Sequence, residues 1–248
     1  MCIRDRFNPL PAEERTTDIV MVSHFSDWKR HWLLFEALSK MPPDLRVVLI
    51  GRDTPERDET KLRSDAKAFG VRQELDVRKN LEIHEVAAEQ AKAKLSVALS
   101  KREGSCVSVS EALFADTPVG MMNDAHVGSR VYINDATGRI LKRRGMHHQL
   151  MAMLENRDSF TPRDWAMANI TARQTSDRLN DILRTYCTNQ GQPWTRDIAP
   201  MCWRYVPRLL DAPDEEKLAP GVERLQEQYG IRLKVFISER HAKEAKQK

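Results

Sequence analysis

The sequence predicts an α/β protein built on a doubly wound parallel sheet flanked by helices. Three observations lead there. Short apolar runs recur at residues 18–23, 45–50, 95–99 and 119–122, each bounded by polar or turn residues. Such near-continuous runs suit strands buried on both faces of a parallel sheet. Between them lie stretches whose apolar residues recur at helical spacing. Alternation of the two patterns makes successive strands parallel and puts helices on the faces.

Residues 1–6 (MCIRDR) match neither a targeting signal nor a structural element and are read as an artefact; residues 7–16 are a polar, proline-containing lead-in. The sheet domain is assigned to 17–186. Its first strand, 18–23, is followed by a polar turn over 24–30. A helix over 31–41 then places Trp32, Phe35, Leu38 and Met41 on one face, and Pro42–Pro43 stop it. The second strand, 45–50, ends in Gly51. An exposed helix over 59–69 has Gly70 as its cap. A third short strand falls within 71–77, a polar helix over 81–94, and a fourth strand over 95–99. After a helix carrying Glu111 comes a fifth strand, 119–122. Extended segments come next at 131–135 and 139–141, then helices at 146–154 and 163–186. A mostly helical extension covers 187–237, with a short helix in 201–210, a helix over 222–229 and a strand over 231–237. A charged tail, 238–248, closes the chain.

Composition excludes several classes. The 40 basic residues nearly balance the 36 acidic ones, for a net charge of +4. Nucleic-acid binding usually needs a more concentrated basic patch, and none is expected here. Four scattered cysteines without a CxxC pair indicate neither zinc nor a disulfide framework. Reduced thiols and a cytoplasmic location follow as the default. No run approaches the roughly 18 apolar residues of a membrane span.

The chemistry gathers in Ser100 to Pro118, SKREGSCVSVSEALFADTP. A buried strand feeds a Gly-Ser turn and then a helix start, an arrangement that aims backbone N–H groups at an anion. Ligands of doubly wound sheets lie at the carboxyl ends of the strands. The loops after Ser23, Gly51, Leu99 and Met122 therefore line one crevice. Glu103 and Glu111 stand eight residues apart. Were all eight helical, they would be displaced by ~12 Å. That is too far for a glycosidase-type retaining pair, whose carboxylates lie roughly 5 Å apart.

These residues resemble the C-terminal half of GT-B glycosyltransferases, closest to the retaining glycosyltransferase family four, or glycosyl transferases group 1. That family's pattern resembles PS-x-x-EGFG-x-x-x-x-EA with a later G-x-PV. Ser100, Glu103, Gly104, Glu111, Ala112, Pro118 and Val119 match it, while Ser105, Cys106 and Asp116 replace its Phe, Gly and later Gly. Its first strand ends in GR-x-x-x-x-KG. Lys29 matches the Lys, with His24 at the Arg and Ser23 at the first Gly. The loop Asp124 to Gly128, with Asp135, Gly138 and Ile140-Leu141, is similar to the family's D-x-GG-x-x-E-x-x-x-D-x-x-x-G-x-L stretch. The resemblance runs from about Thr17 to Arg184.

The resemblance implies a Rossmann-like domain, one half of a GT-B fold, that binds a nucleoside diphosphate sugar. Lys29 and His24 would hold the diphosphate, helped by Arg52 and the helix start at Gly104, Ser105, Cys106 and Val107. Glu103 would face the donor sugar, and Lys29 and Glu103 are the catalytic candidates. Glu111 would accept hydrogen bonds from the ribose. No metal or other cofactor is implied. The acceptor (glycan, lipid or small molecule) is not fixed by the sequence. The acceptor-binding domain that would precede Thr17 is missing, so the chain reads as a fragment, at most peripheral to the inner membrane face. Two other readings stand beside this one. They are a degenerate GT-B half that serves as an interaction module, and a nucleotide-sugar epimerase. Taken singly, Glu103 reads as a helix-dipole partner, Glu111 as a solvated helix residue and Lys29 as a surface lysine. Cys106 reads as a small buried filler, His147-His148 as surface, and Trp28 and Trp32 as packing residues.

Overall fold

The computed structural model describes residues 3–202 and 208–230. The first unit spans residues 3–167 and the second begins at Ala168. That boundary falls within the stretch 17–186, which the sequence reads as one domain.

Six strands form the sheet of the first unit: β1 (Thr17–Val22), β2 (Val47–Gly51), β3 (Leu75–Lys79), β4 (Ala93–Ala98), β6 (Val119–Met122) and β8 (Gly138–Leu141). Two short strands, β5 (Arg102–Glu103) and β7 (His126–Val127), form a separate pair. The sheet order is β3-β2-β1-β4-β6-β8 and every neighbour is parallel. The chain builds outward from β1 through β2 to β3, then returns to β4 on the other side of β1. The order reverses between β1 and β4, which is the switch point where open α/β sheets bind ligands. Ile19, Leu49, Leu95, Val119 and Met121 are fully buried, as centrally placed apolar strands require.

The connecting helices are α2 (His31–Leu38), α3 (Glu59–Ala68), α4 (Ile83–Lys92), α5 (Val107–Phe114) and α6 (Met146–Glu155). α2 packs on α3 and α6, and α4 packs on α5. Asp58 caps α3 by accepting from Lys61 N at 2.8 Å, and Gly70 at φ 75° lies just past its end. The buried Gln73 donates to Leu38 O and Pro42 O at 2.9 and 2.8 Å, fixing the turn after α2.

The structure departs from the sequence reading at several places. Residues 3–6 form a short helix, α1 (Ile3–Arg6), and Phe7 behind it is fully buried. Arg15 reaches Ala93 O at 2.6 Å, Thr117 Oγ1 at 3.0 Å and Ala115 O at 3.1 Å. The lead-in is thereby stitched to the sheet. The residues expected to extend over 131–135 begin in a 3-10 turn, Gly128–Tyr132. The single helix expected over 163–186 is two, α7 (Pro162–Asn169) and α8 (Ala172–Asn189). Thr171 divides them, because its side chain accepts from Gln174 N and so starts a new helix.

In the second unit, β9 (Met201–Cys202) pairs antiparallel with β10 (Arg208–Leu209), where a short helix was expected. Asn180 of α8 accepts from Ile198 N at 2.6 Å, which fixes the chain leading into β9. The last described helix, α9 (Ala212–Tyr229), ends at Gly230 in the left-handed conformation. The expected strand over 231–237 and the tail over 238–248 lie outside the described residues. No helix among the described residues is long and apolar enough to cross a membrane.

Candidate functional site

The loops after β1 and β4 face each other across the switch point. After β1 the chain turns through a 3-10 helix, Asp27–Lys29, which places Lys29 with only 8% of its surface exposed. Lys29 Nζ donates to Glu103 Oε1 at 2.7 Å. Seventy-four residues separate the two in sequence, and both side chains are largely shielded from water. Glu103 is not an N-terminal helix residue. It belongs to β5, three residues ahead of the Cys106 N-cap of α5.

β5 is held by β7, with Glu103 in register with Val127. The pairing continues as Gly128 N donates to Gly104 O at 2.8 Å. A Cβ on Gly128 would sit 2.3 Å from that same carbonyl, so the close approach needs glycine there. Gly51 meets the same demand at the end of β2, where a Cβ would sit 2.2 Å from Ser23 O.

Ser105 and Val107 are exposed at the entrance of α5. Cys106 provides no side-chain cap, so the first amides of the helix are left to backbone or solvent partners. Cys106 itself is buried, and burial pushes its thiol pKa up. It is therefore packing, not a reactive thiolate. Glu111, in the second turn of α5, is 5% exposed, so it is not a solvated helix residue.

His24 Nδ1 lies 2.7 Å from Ser26 Oγ. Burial, then Lys29 and then Arg52, lower its pKa below the ordinary imidazole value. His24 is therefore neutral at pH 7, unlike the arginine it replaces in the family pattern. Arg52 is exposed just past β2, and its carbonyl accepts from Phe25 N at 3.0 Å. Trp28 is no packing residue: it is 62% exposed, with its ring tilted against His24 at 5.7 Å. Trp32 carries Arg143 over its ring at 4.8 Å.

The structure adds residues that sequence reasoning passed over. Arg30 Nη1 and Nη2 bind Asp124 Oδ2 and Oδ1 at 2.8 and 3.0 Å, and Arg30 Nε donates to Leu99 O. The guanidinium holds the Asp124 carboxyl below the usual carboxylate range. Arg57 Nη1 donates to Asp27 Oδ1 at 2.6 Å, bracing the same loop from the β2 side. Asp124 had a signal, at the head of the glycine loop. Arg30 had none, because its partners lie 69 and 94 residues away. No cluster of three or more His, Cys, Asp or Glu among the described residues is set to hold a metal ion. The arrangement brings one shielded cation and one carboxylate together close to the start of α5, a combination suited to an anionic polar ligand.

Known proteins share both the sequence pattern and the fold. Residues 3–163 match the family described as Glycosyl transferases group 1. No curated protein matches the chain. Among solved structures, the C-terminal domain of a glycosyl transferase group 1 family protein, LpcC from Francisella tularensis, is 17% identical. It superposes with a TM-score of 0.57 over 67% of this chain and 96% of that one. Sucrose-phosphate synthase from Thermosynechococcus elongatus is 16% identical, with a TM-score of 0.61 over 75% of this chain and 51% of that one. Anabaena Alr3699/HepE, solved in complex with UDP and glucose, is 14% identical. Its TM-score is 0.61 over 73% of this chain and 55% of that one. The fold is that of a GT-B C-terminal, Rossmann-like domain. The chain spans about half the length of the latter two structures.

Proposed function

Because the chain belongs to the Glycosyl transferases group 1 family, we propose that its first unit binds a nucleoside diphosphate sugar for retaining transfer of the sugar. The observation that carries the reading is the Lys29–Glu103 pair at 2.7 Å across the β1/β4 switch point. A departing nucleoside diphosphate gains negative charge as the glycosidic bond breaks. A lysine and helix N–H groups fixed beforehand stabilise that charge more in the transition state than in the ground state. Lys29 and the α5 entrance, from Gly104 to Val107, take the diphosphate. His24 and Arg52 add donors at its edge. Glu103 faces the sugar hydroxyls, and the buried Glu111 accepts from the ribose diol, for which a carboxylate is a natural two-point acceptor. The acceptor is held by a preceding domain, and the protein works at the cytoplasmic face. The complex of the Anabaena protein with UDP and glucose supports a nucleotide-sugar ligand.

Calorimetry with UDP, GDP and ADP tests this. At least one is expected to bind at or below millimolar concentration. Lys29→Met is expected to weaken that binding by roughly 10-fold or more, the scale of a charge-assisted hydrogen bond. Glu111→Gln is expected to weaken the nucleoside as well as the diphosphate. No binding of any of the three overturns the reading. Two observations favour a second reading, a non-transferring interaction module: the pKa of His24 is lowered, and Lys29 is already paired with Glu103. Nucleotide binding without transfer by a protein containing both halves would favour it.

A further inference from the structure

We propose that Arg30 is a positioning residue, which sets the Lys29–Glu103 pair by tying the β1 loop to the loops after β4 and β6. The proposal rests on the donor-binding reading for its ligand, but its core concerns the protein without ligand. Arg30 has φ 56° and ψ 45°, the left-handed conformation that favours glycine. It comes directly after Lys29, where the family's GR-x-x-x-x-KG pattern has glycine. A non-glycine residue stays in that region only when its surroundings hold it there.

Its side chain supplies the hold. The guanidinium is nearly buried, and its donors divide between two loops: Nε to Leu99 O, and Nη1 and Nη2 to the two oxygens of Asp124 at 2.8 and 3.0 Å. Each loop runs on into the strand pair that carries Glu103. Leu99 leads through Lys101, whose carbonyl accepts from His126 N at 2.7 Å, into β5. Asp124 leads into β7, which pairs with β5 residue for residue. The backbone of Arg30 thus carries Lys29, while its side chain grips the loop that leads into β5, which carries Glu103, and the loop that leads into its partner β7. A lysine could not replace it, since an ammonium cannot span a carbonyl and both oxygens of a carboxylate in fixed directions.

The test separates positioning from general glue. Lys29→Met, Glu103→Gln and the double variant are made in the full chain, on the wild-type and Arg30→Gly backgrounds, and unfolded with urea. With Arg30 present, the two sites are expected to couple by roughly twofold or more in the unfolding equilibrium constant. With Arg30→Gly, which relieves the backbone, the coupling is expected to vanish, and Arg30→Lys is expected not to restore it. If Arg30→Gly does not fold, Asp124→Ala removes the tie to the loop after β6 with the Arg30 backbone in place, and the coupling is expected to fall. Equal coupling in all backgrounds, absence of coupling in the wild type, or recovery with lysine would each overturn the proposal.

A second measurement compares UDP with UMP. Arg30→Gly should cost UDP roughly fivefold or more in affinity, and UMP less than about twofold. An equal loss of both would mark a global effect and overturn the positioning role. If the wild type binds no nucleotide, the donor-binding reading fails, and the urea coupling still decides the role of Arg30.

Discussion

His31 opens α2 with 2% of its surface exposed, its Nε2 3.2 Å from Ser23 Oγ and its ring edge-on to Phe25. Burial, with Arg57, Lys29 and His24 nearby, lowers its pKa to about 3. In the unfolded chain it titrates near the ordinary imidazole value of 6.5. Between these two values the unfolded state binds the proton and the native state does not. Stability is therefore full above about pH 6.5 and is lost as pH falls toward 3, with a limiting slope of about 1.4 kcal/mol per pH unit. Urea unfolding from pH 7 to pH 4 is expected to show this slope, and His31→Gln to flatten it. An equal slope in the variant would place the acid sensitivity elsewhere. The histidine follows Lys29 and Arg30 in the chain, so a neutral imidazole there adds no third positive charge beside them.

At the scale of elements, the pair β5 and β7 has no counterpart in the sequence reading. Two residues each, Arg102–Glu103 and His126–Val127, give no apolar run and no alternation to detect. Their existence depends on the close approach of Gly104 and Gly128. The two glycines are not equivalent, because a Cβ on Gly104 meets nothing within 4 Å while one on Gly128 meets Gly104 O at 2.3 Å. Gly104→Ala is expected to change the urea midpoint little. Gly128→Ala is expected to cost roughly 1–3 kcal/mol, the scale of forced backbone shifts in a packed site, and to weaken nucleotide binding with it. Equal destabilisation by the two would contradict this view of the turn. The long strands, by contrast, were legible within a few residues, because burial on both faces leaves an unbroken apolar run. The helix break at Thr171 was passed over because the apolar periodicity continues on both sides, and only the capping side chain interrupts it. Lys29, Glu103 and Glu111 were picked out through the resemblance to the family pattern, and the structure brings Lys29 and Glu103 into contact. Arg30 was not picked out, since nothing local marks a latch that closes across the fold.

At the scale of the whole molecule, the sheet order brings Lys29 and Glu103 together across the β1/β4 switch point, and the chain spans about half the length of two of the structures it resembles. Binding and transfer should then separate. On the proposed reading, diphosphate binding belongs to this unit alone, because the candidate cation Lys29 and the α5 start lie within residues 3–167. Transfer, on the same reading, would need an acceptor brought to the sugar by another domain. Glu103 is the residue at which the two demands oppose each other. In the unliganded protein it neutralises Lys29. If Lys29 takes the diphosphate as proposed, the charge of Glu103 would lie close to the ligand's own and repel it. Two like charges several ångströms apart near a protein surface repel by about 1–4 kcal/mol. Glu103→Gln is therefore expected to bind nucleoside diphosphate more tightly, by roughly 3-fold or more, since it removes the repulsion and frees Lys29 while Arg30 still holds the backbone beside it in place. The same variant, in a protein containing both halves, is expected to lose transfer by roughly 100-fold or more, the scale of one removed electrostatic contact to the reacting group. Calorimetry and a transfer assay on the same variant read the two effects. Weaker binding in Glu103→Gln would mean that the carboxylate supports the diphosphate site by orienting Lys29, and would remove it from the sugar.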